Sequence, residues 1–194
     1  MARPREFDEV AVLNAATEVF WKRGFEATSI RNLADRMGLT TASLYNAYGD
    51  KRALYKRVIE RYADSALGSC TAGLASGSSG IEAIETFFSA LANNTAADPD
   101  RKGCLIVNAG LESAPHDSEF RAIVSGVFRQ LETMFRDCAA RGQKDGSVTQ
   151  SQSAEDIARL LLGTMLGIRV LARTLPEPAL LASVARATTS LLRS

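Results

Sequence analysis

The 194-residue chain has only three cysteines, one histidine and no long apolar run. An odd number of cysteines does not fit a disulfide scaffold and is typical of a reducing compartment. One histidine without any Cys-x-x-Cys pair leaves no ordinary zinc-ligand set, so we expect no metal and no cofactor. The most apolar segment, residues 157–175, contains three arginines, which excludes a transmembrane helix.

The N-terminal residues also lack the features of a secretory signal, because they contain no apolar segment and no small-residue cleavage site. We therefore expect a cytoplasmic protein with no membrane partner. Arg3 and Arg5 are expected to belong to a solvated tail. The alternative is an arm that enters a DNA minor groove.

Apolar and polar residues do not alternate as they do in half-buried strands, and helical spacing dominates. With 46% hydrophobic and 23% charged residues the chain can bury a core, and we expect an all-α fold of about nine helices. The net charge is +1, yet residues 1–62 contain eleven Lys or Arg against eight Asp or Glu, and the remainder twelve against fourteen. An acidic partner is therefore expected at the N-terminal end.

Capping residues and glycines predict where the helices begin and end. Thr28 is expected to cap the second helix and Asp50 the fourth, and Gly142 with Gly146 to end the helix that starts at Asp117. Residues 68–80 contain four glycines and are expected to form a flexible connection. The predicted helices cover residues 8–23, a short stretch after Thr28, 41–48, 50–67, a stretch after Ser79, 103–113, 117–141, 153–174 and 178–192.

The second helix, a short turn with Gly38 and the third helix match the helix-turn-helix pattern, in which the second of the two helices enters the major groove. With Leu44 set as the inward direction, a rotation of about 100° per residue turns Ala47 and Tyr48 inward as well. The outward residues are small and polar without a carboxylate: Ala42 and Asn46, with Ser43 and Tyr45 on the flanks.

This outward composition suits a DNA groove. The Asn46 amide can pair with an adenine edge, and the Ala42 methyl can contact thymine. Lys51 lies in the first turn of the fourth helix, against the helix dipole, and a bound phosphate would remove that conflict. Hydroxyl side chains are expected on the phosphates. The predicted DNA-binding residues are Thr28, Thr40, Thr41, Ala42, Ser43, Tyr45, Asn46 and Lys51.

At these residues the sequence resembles the TetR family of bacterial transcription regulators. Asn46 and Ala47 replace a commoner His or aromatic pair of that family, which bears on the operator sequence. The resemblance runs through Val12-Leu-Asn-Ala-Ala16, Phe20, Gly24-Phe25, Thr28-Ser29, Leu33-Ala34, Gly38-Leu39-Thr40, Leu44-Tyr45, Tyr48-Gly-Asp-Lys51 and Leu54.

The resemblance implies a DNA-binding domain of residues 1–49 and a ligand-binding and dimerisation domain of residues 50–194, with the helix 50–67 as connector. It also implies double-stranded operator DNA as partner, a homodimer through the helices 153–174 and 178–192, and a pocket for a small-molecule effector enclosed by helices 4 to 7.

An apolar cavity with a few polar groups is the expected form of that pocket. Aromatic and methionine side chains at helical spacing are more often core, so only about a third of them need face a ligand. Asn108 is the expected polar group. The candidate ligand-binding residues are Tyr62, Phe87, Phe88, Cys104, Asn108, Phe128, Met134, Phe135 and Met165.

Residues 102–109 resemble a stretch found in a subset of TetR regulators, and related members use a cysteine there to sense electrophiles or oxidants. Redox or electrophile sensing through Cys104 is therefore an alternative function. A buried cysteine is inert unless neighbouring groups favour the thiolate, and Lys102 and the amino end of the helix are the groups that could do so. We expect Cys104 to be passive.

Two other classes of protein remain. An enzyme with Cys104 as nucleophile and His116 as base assigns no role to the N-terminal residues. A helical scaffold that only dimerises does not explain the polar outward face of the third helix. We therefore expect a regulator and no enzyme, specifically a repressor that a small molecule releases from a palindromic operator.

Overall fold

The computed structural model of the chain describes residues 8–75 and 77–194. Arg3 and Arg5 lie outside the described residues. Within them, no helix combines the length and the hydropathy that crossing a bilayer requires. The described residues form nine helices and no strand, so the all-α prediction is confirmed. The helices are α1 (Glu9–Arg23), α2 (Ile30–Met37), α3 (Thr41–Tyr48), α4 (Lys51–Ala75), α5 (Gly80–Ala96), α6 (Leu105–Glu112), α7 (Ser118–Asp145), α8 (Ala154–Thr174) and α9 (Pro178–Ser190).

The first three helices form the predicted helix-turn-helix unit. Asp8 caps α1, and Gly24 ends it with a φ of 81°, which a glycine adopts without strain. Gly38, left-handed with a φ of 66°, turns the chain from α2 into α3. The three helices share one apolar core, made of Val12, Leu13, Ala16, Phe20, Leu33, Met37 and Leu44.

The start of α2 differs from the prediction. Ser29 caps the helix, because its hydroxyl accepts from the Asn32 N–H at 3.1 Å and the Asn32 side chain accepts from the Ser29 N–H at 3.2 Å. Thr28 is 1% exposed, and its hydroxyl donates to the Gly24 carbonyl at 2.6 Å. The predicted cap is wrong because the Thr28 side chain turns inward onto the end of α1. Its hydroxyl proton is therefore unavailable to a phosphate.

The helix α4 is longer than predicted. Asp50 caps it as expected, but the helix continues through Gly68 and Gly73 to Ala75. The prediction of a flexible connection is therefore wrong for residues 68–75. Leu74 is buried, and Gly73 packs so closely on Phe87 that an added Cβ would lie 3.3 Å from the ring. This packing outweighs the helix penalty of about 1 kcal/mol that each glycine carries.

The C-terminal helical domain is built from two packed pairs, α7 on α8 and α5 on α9. The backbones of α5 and α7 touch at Gly80 and Gly142, where a Cβ on either residue would overlap its neighbours. The predicted helix end at Gly142 is therefore wrong, because that glycine is buried inside α7. Gly146, with a φ of 81°, ends the helix.

Candidate functional site

The outward face of α3 is exposed and its inward face is buried. Leu44 is 0% and Tyr48 is 5% exposed, so the inward direction assumed from the sequence is confirmed. On the other side Ala42 and Asn46 are exposed, and Tyr45 is 49% exposed. The helix contains no acidic residue. It therefore presents a small, polar, convex surface of the kind that a major groove accepts.

Hydroxyl groups at the start of α3 form its cap. Thr40 Oγ1 accepts from the Ser43 N–H at 3.1 Å and lies 2.9 Å from Ser43 Oγ. Since one of these two hydroxyls donates to the other, one hydroxyl proton stays available to an outside acceptor. Thr41 is exposed in the first turn. The cap thus leaves room for a phosphate beside the amino end of α3.

Lys51 already has partners within the protein. Its ammonium donates to the Phe25 carbonyl at 2.9 Å and lies 4.3 Å from the centroid of the Phe25 ring. The reasoning that a phosphate was needed to relieve Lys51 from the helix dipole is therefore wrong, because Phe25 supplies both a carbonyl and a ring face. Among the residues that the structure describes, the ammonium donates this one hydrogen bond, so two N–H groups can reach a further acceptor.

Glu112, the last residue of α6, holds the loop between α1 and α2. Its carboxylate accepts from the Phe25 N–H at 3.0 Å and from the Glu26 N–H at 2.8 Å. Gly24 faces the same carboxylate, and a Cβ there would lie 2.7 Å from one of its oxygens. A residue of the C-terminal helical domain thus binds the backbone of the helix-turn-helix unit directly.

A second connection joins the start of α4 to the start of α7. Arg52 donates to Asp117 at 2.7 Å and to Glu119 at 2.6 Å, and Lys56 pairs with Glu119 at 2.6 Å. The hydrogen bond from Arg52 lowers the pKa of Asp117 from its usual 3.8 to about 2, assisted by the N–H groups that this residue caps. These ion pairs connect α4, the helix that follows α3, to the start of α7 in the C-terminal helical domain.

A cavity of about 340 Å³ lies between α4 and α5 and is closed on one side by α8. Its size is at the lower end of the range for small-molecule sites. Tyr62 on its α4 wall also packs edge-on against Trp21 of α1, with ring centroids 4.9 Å apart. The lining residues are Tyr62, Ser65, Ala66, Ser69, Cys70, Gly73, Thr86, Phe87, Ala90, Leu91, Asn94 and Arg169.

Two of the predicted ligand residues, Tyr62 and Phe87, line this cavity. Phe88 and Phe135 are fully buried, with the Phe87 ring 5.4 Å from each, and Met165 is 6% exposed. The structure therefore places these last three residues in the core, which is the alternative that helical spacing also allowed.

The other candidates lie elsewhere around the C-terminal helices. Asn108 donates to the Lys102 carbonyl at 3.0 Å and lines a groove between α6 and α8. Phe128 lines an apolar groove between α6, α7 and α8. Met134 is half-buried and accepts from the Thr71 hydroxyl. Seven of the nine candidates are thus divided among the α4–α5 cavity, two other grooves and the core, whereas Met134 and Cys104 are half-buried outside them.

Cys104 lies between these regions, immediately before α6. It is half-buried, and the Tyr62 hydroxyl donates to its Sγ at 3.8 Å. Lys102 is directed elsewhere, since its ammonium lies 4.9 Å from the centroid of the Trp21 ring and 3.5 Å from Glu18. Lys102, which the sequence named as a group that could favour the thiolate, therefore contacts α1.

His116 follows the opposite end of α6 from Cys104, and this helix is about 12 Å long at 1.5 Å per residue. A nucleophile and its base must lie within hydrogen-bond distance, so the Cys104–His116 pair is not formed. In the part of the chain that the structure describes, no three His, Cys, Asp or Glu side chains converge on a possible metal position.

Comparison with known proteins decides the family. Residues 12–58 match the bacterial regulatory proteins of the tetR family, and residues 80–188 match the tetracyclin repressor-like C-terminal domain. The chain is 32% identical over 175 residues to the uncharacterized HTH-type transcriptional regulator YezE of Bacillus subtilis, covering 89% of this chain and 90% of YezE. The chain belongs to the TetR family.

Other TetR-type regulators agree with this assignment. The HTH-type transcriptional repressor ComR of Escherichia coli is 26% identical over 172 residues, 88% of this chain and 82% of ComR. A solved structure of a cysteine mutant of the TetR family regulator CifR, complexed with 26-bp double-strand operator DNA, has a TM-score of 0.87 at 26% identity. The alignment with this structure covers 98% of this chain and 100% of the CifR chain. The protein is therefore a DNA-binding transcription regulator of the TetR family.

Sequence reasoning missed most of the cavity of this TetR regulator. A signal existed for Arg169, a charged residue within the most apolar segment of the chain. The other missed residues gave no signal in the sequence, because they are polar or small residues on α4 and α5 of the kind that usually face solvent. The missed polar residues are Ser65, Ser69, Cys70, Thr86, Asn94 and Arg169.

Proposed function

We propose that this TetR-family protein is a ligand-responsive repressor, which binds a palindromic operator as a homodimer and is released from it by a small molecule. One observation carries the proposal. The helix α4 forms a wall of the α4–α5 cavity, and its first two turns contact the helix-turn-helix unit through Tyr55, Arg57 and Lys51. A ligand in the cavity therefore contacts the same rigid element that positions α3.

On the operator, Asn46 and Ala42 read base edges from the centre of the outward face of α3. Tyr45, Thr41 and the hydroxyl pair of Thr40 and Ser43 engage phosphates, together with the open N–H groups of Lys51. Thr28 is not part of this proposed set, because its side chain is buried. We place the boundary of the DNA-binding domain at residue 49, with the first turns of α4 as the connector.

The proposed homodimer forms through an outer face shared by α8 and α9. Leu160 on α8 is 41% exposed, and Leu191, the residue directly after α9, is 73% exposed. Gly163 and Gly167 lie one turn apart on α8, and a Cβ at either position would meet nothing within 4 Å. Small residues at this spacing let a partner helix approach closely, and exposed leucines supply apolar area to bury.

The proposed ligand acts by linkage. It weakens operator binding only if it binds more tightly to a conformer in which the two α3 helices of the dimer are wrongly spaced. The loss of DNA-binding free energy then equals the difference between the ligand's binding free energies for the two conformers. Half-sites that lie about one helical turn apart require a fixed spacing of the two recognition helices.

The experiment begins with selection of the operator from a random duplex library. Fluorescence anisotropy then measures the affinity of the selected duplex against rising salt, and compounds that raise the thermal midpoint are added to the complex. We expect a palindromic consensus, an affinity that falls steeply with salt, and release by at least one stabilising compound. A consensus without twofold symmetry, or stabilising compounds that never release DNA, would contradict the proposal.

A second candidate function is electrophile sensing by Cys104, and the hydrogen bond from Tyr62 favours it. This bond connects the half-buried thiol to a residue that contacts both the cavity and Trp21 of α1. A group attached to Cys104 Sγ would therefore displace Tyr62. Brief treatment of the native protein with iodoacetamide forms an S–C bond, releases iodide and transfers the thiol proton to buffer. Mass spectrometry then ranks the labelling of Cys104 against Cys70 and Cys138.

Preferential labelling of Cys104 together with loss of operator binding would establish the sensing function, and Cys104→Ser should abolish the response but not the binding. Burial raises the pKa of the Cys70 and Cys138 thiols, so these two cysteines serve as slow internal references. Equal labelling of all three cysteines would leave the passive role that we expect.

A further inference from the structure

Arg169 places an uncompensated positive charge at the α4–α5 cavity. It is the one charged side chain among the described residues that line the cavity. Within residues 8–75 and 77–194, its guanidinium has no ion pair and no hydrogen bond. A half-buried guanidinium loses water contacts and is unfavourable unless acceptors replace them. The residues that line the cavity therefore supply no anionic group to pair with this charge.

The charge of Arg169 affects two titratable side chains on the α4 wall of the cavity. Burial raises the pKa of the Cys70 thiol, and the nearby guanidinium opposes that rise. Burial also raises the pKa of the Tyr62 hydroxyl, and Arg169 opposes this rise as well. Tyr62 and Cys70 are about two helical turns apart. An anion between them would lie in the field of Arg169.

The other lining groups complement an amphipathic molecule. Phe87 and Leu91 are buried and give the cavity an apolar floor. Ser65, Ser69 and Asn94 add hydroxyl and amide groups from both walls. None of the lining side chains is a carboxylate, so nothing in the lining repels an acid.

We propose that this cavity binds a small organic acid, with its carboxylate paired to Arg169 and its apolar body against Phe87 and Leu91. The planar fork of a guanidinium matches the two oxygens of a carboxylate, and such pairs are stronger than neutral hydrogen bonds. The inference names the ligand class of the effector site. It rests on the proposed function only for its effect on DNA, not for binding itself.

The test uses matched probes that differ in the acidic group alone: hexanoate, octanoate and decanoate against hexanol, octanol and decanol. Calorimetry measures the affinity of the full chain for each probe. Trp21, the one tryptophan of the sequence, reports occupation of the cavity through its contact with Tyr62. We expect at least one acid to bind about tenfold more tightly than its alcohol, equivalent to about 1.4 kcal/mol, with a change in Trp21 fluorescence.

Three variants make the result specific. Arg169→Gln should remove the preference for acid over alcohol while leaving the affinity for the alcohol. Arg169→Lys should retain part of this preference, because an ammonium keeps the charge but lacks the planar fork of the guanidinium. Arg173→Gln, one turn further along α8 and outside the cavity lining, should behave as wild type. Circular dichroism verifies that each variant is folded.

The outcomes separate the two proposals. Equal affinity for acid and alcohol in the wild type, no binding of any acid, or an undiminished preference in folded Arg169→Gln would each overturn the acid-binding inference. Tight acid binding with a Trp21 response but unchanged operator affinity would support that inference and would instead contradict the ligand-responsive repressor.

Discussion

Asn46 is exposed on the outward side of α3, where a side-chain amide can make two hydrogen bonds to an adenine edge. We expect Asn46→Ala to cost about 1 to 3 kcal/mol at one base pair of the operator and to relax the preference at that position alone. Anisotropy titrations of the selected operator and its single-base variants measure this. An equal loss on every sequence, including non-specific DNA, would show that Asn46 does not read a base.

Lys51 has a different expected signature, because its ammonium is a point charge beside the amino end of α4. Lys51→Ala should weaken specific and non-specific DNA binding alike and reduce the slope of log affinity against log salt by about one. Lys144→Ala, in the last turn of α7, is the matched control and should leave both unchanged. Retention of the wild-type salt slope in Lys51→Ala would mean that the ammonium is occupied by Phe25 in the complex as well.

Among the helices, the contact of α4 with α7 makes stability depend on pH. The pKa of Asp117 falls from 3.8 to about 2 on folding, so its ion pair with Arg52 stabilises the fold fully above pH 3.8. This contribution is lost as the pH falls through the folded value. Asp117→Asn keeps a side-chain acceptor for the cap but removes the charge.

We expect Asp117→Asn to have a lower thermal midpoint than the wild type at pH 6, and the difference to shrink between about pH 4 and pH 2. Thermal melts across this range measure it. The Asp137 carboxylate pairs with its neighbour Arg136 on the same helix, so Asp137→Asn controls for the general effect of removing a negative charge. If the difference in thermal midpoint does not change with pH, the lost stability comes from the helix cap alone and not from the ion pair.

The helices themselves show what local patterns determine. The bounds of α3 agree with the prediction, because Thr40 and Gly49 are strong local signals at its two ends. The helices predicted after Ser79 and from Asp117 also begin within one residue of these positions, because the two side chains cap α5 and α7. The predictions failed in the segment with Gly73 and at Gly142, because both glycines pack against a distant part of the chain that the local sequence does not reveal.

The candidate site was less predictable than the fold. The face of α3 follows from helical rotation about Leu44, which needs no tertiary information. The cavity depends on which side of α8 faces α4, and that orientation is set by contacts among four helices. Arg169 therefore could be noticed in the sequence as an anomaly but could not be assigned to the cavity.

For the whole molecule, the outer face of α8 and α9 predicts the assembly. Leu160→Glu and Leu191→Glu should each yield monomers with unchanged helical content, because a charge would be buried in the proposed interface without a partner. Sedimentation velocity and circular dichroism measure both properties. Val10→Glu makes the same change at a 58% exposed residue of α1 and should remain dimeric. Dimers in all three variants would place the interface elsewhere.

The two hydrogen bonds that the Glu112 carboxylate accepts from the loop after α1 affect how strong a signal the proposed switch needs. Hydrogen bonds to charged groups contribute about 1.5 to 3 kcal/mol each when protected from water, and less where solvent competes, as it does at Glu26. A typical coupling between two sites is about 1 to 3 kcal/mol. In the proposed ligand-driven switch, breaking these two bonds would therefore cost a free energy close to what one small ligand can deliver. In the proposed repressor, a stronger contact here would prevent a ligand from shifting the conformation, and its loss would remove one of the contacts that position α3, beside those of Lys51 and Arg57.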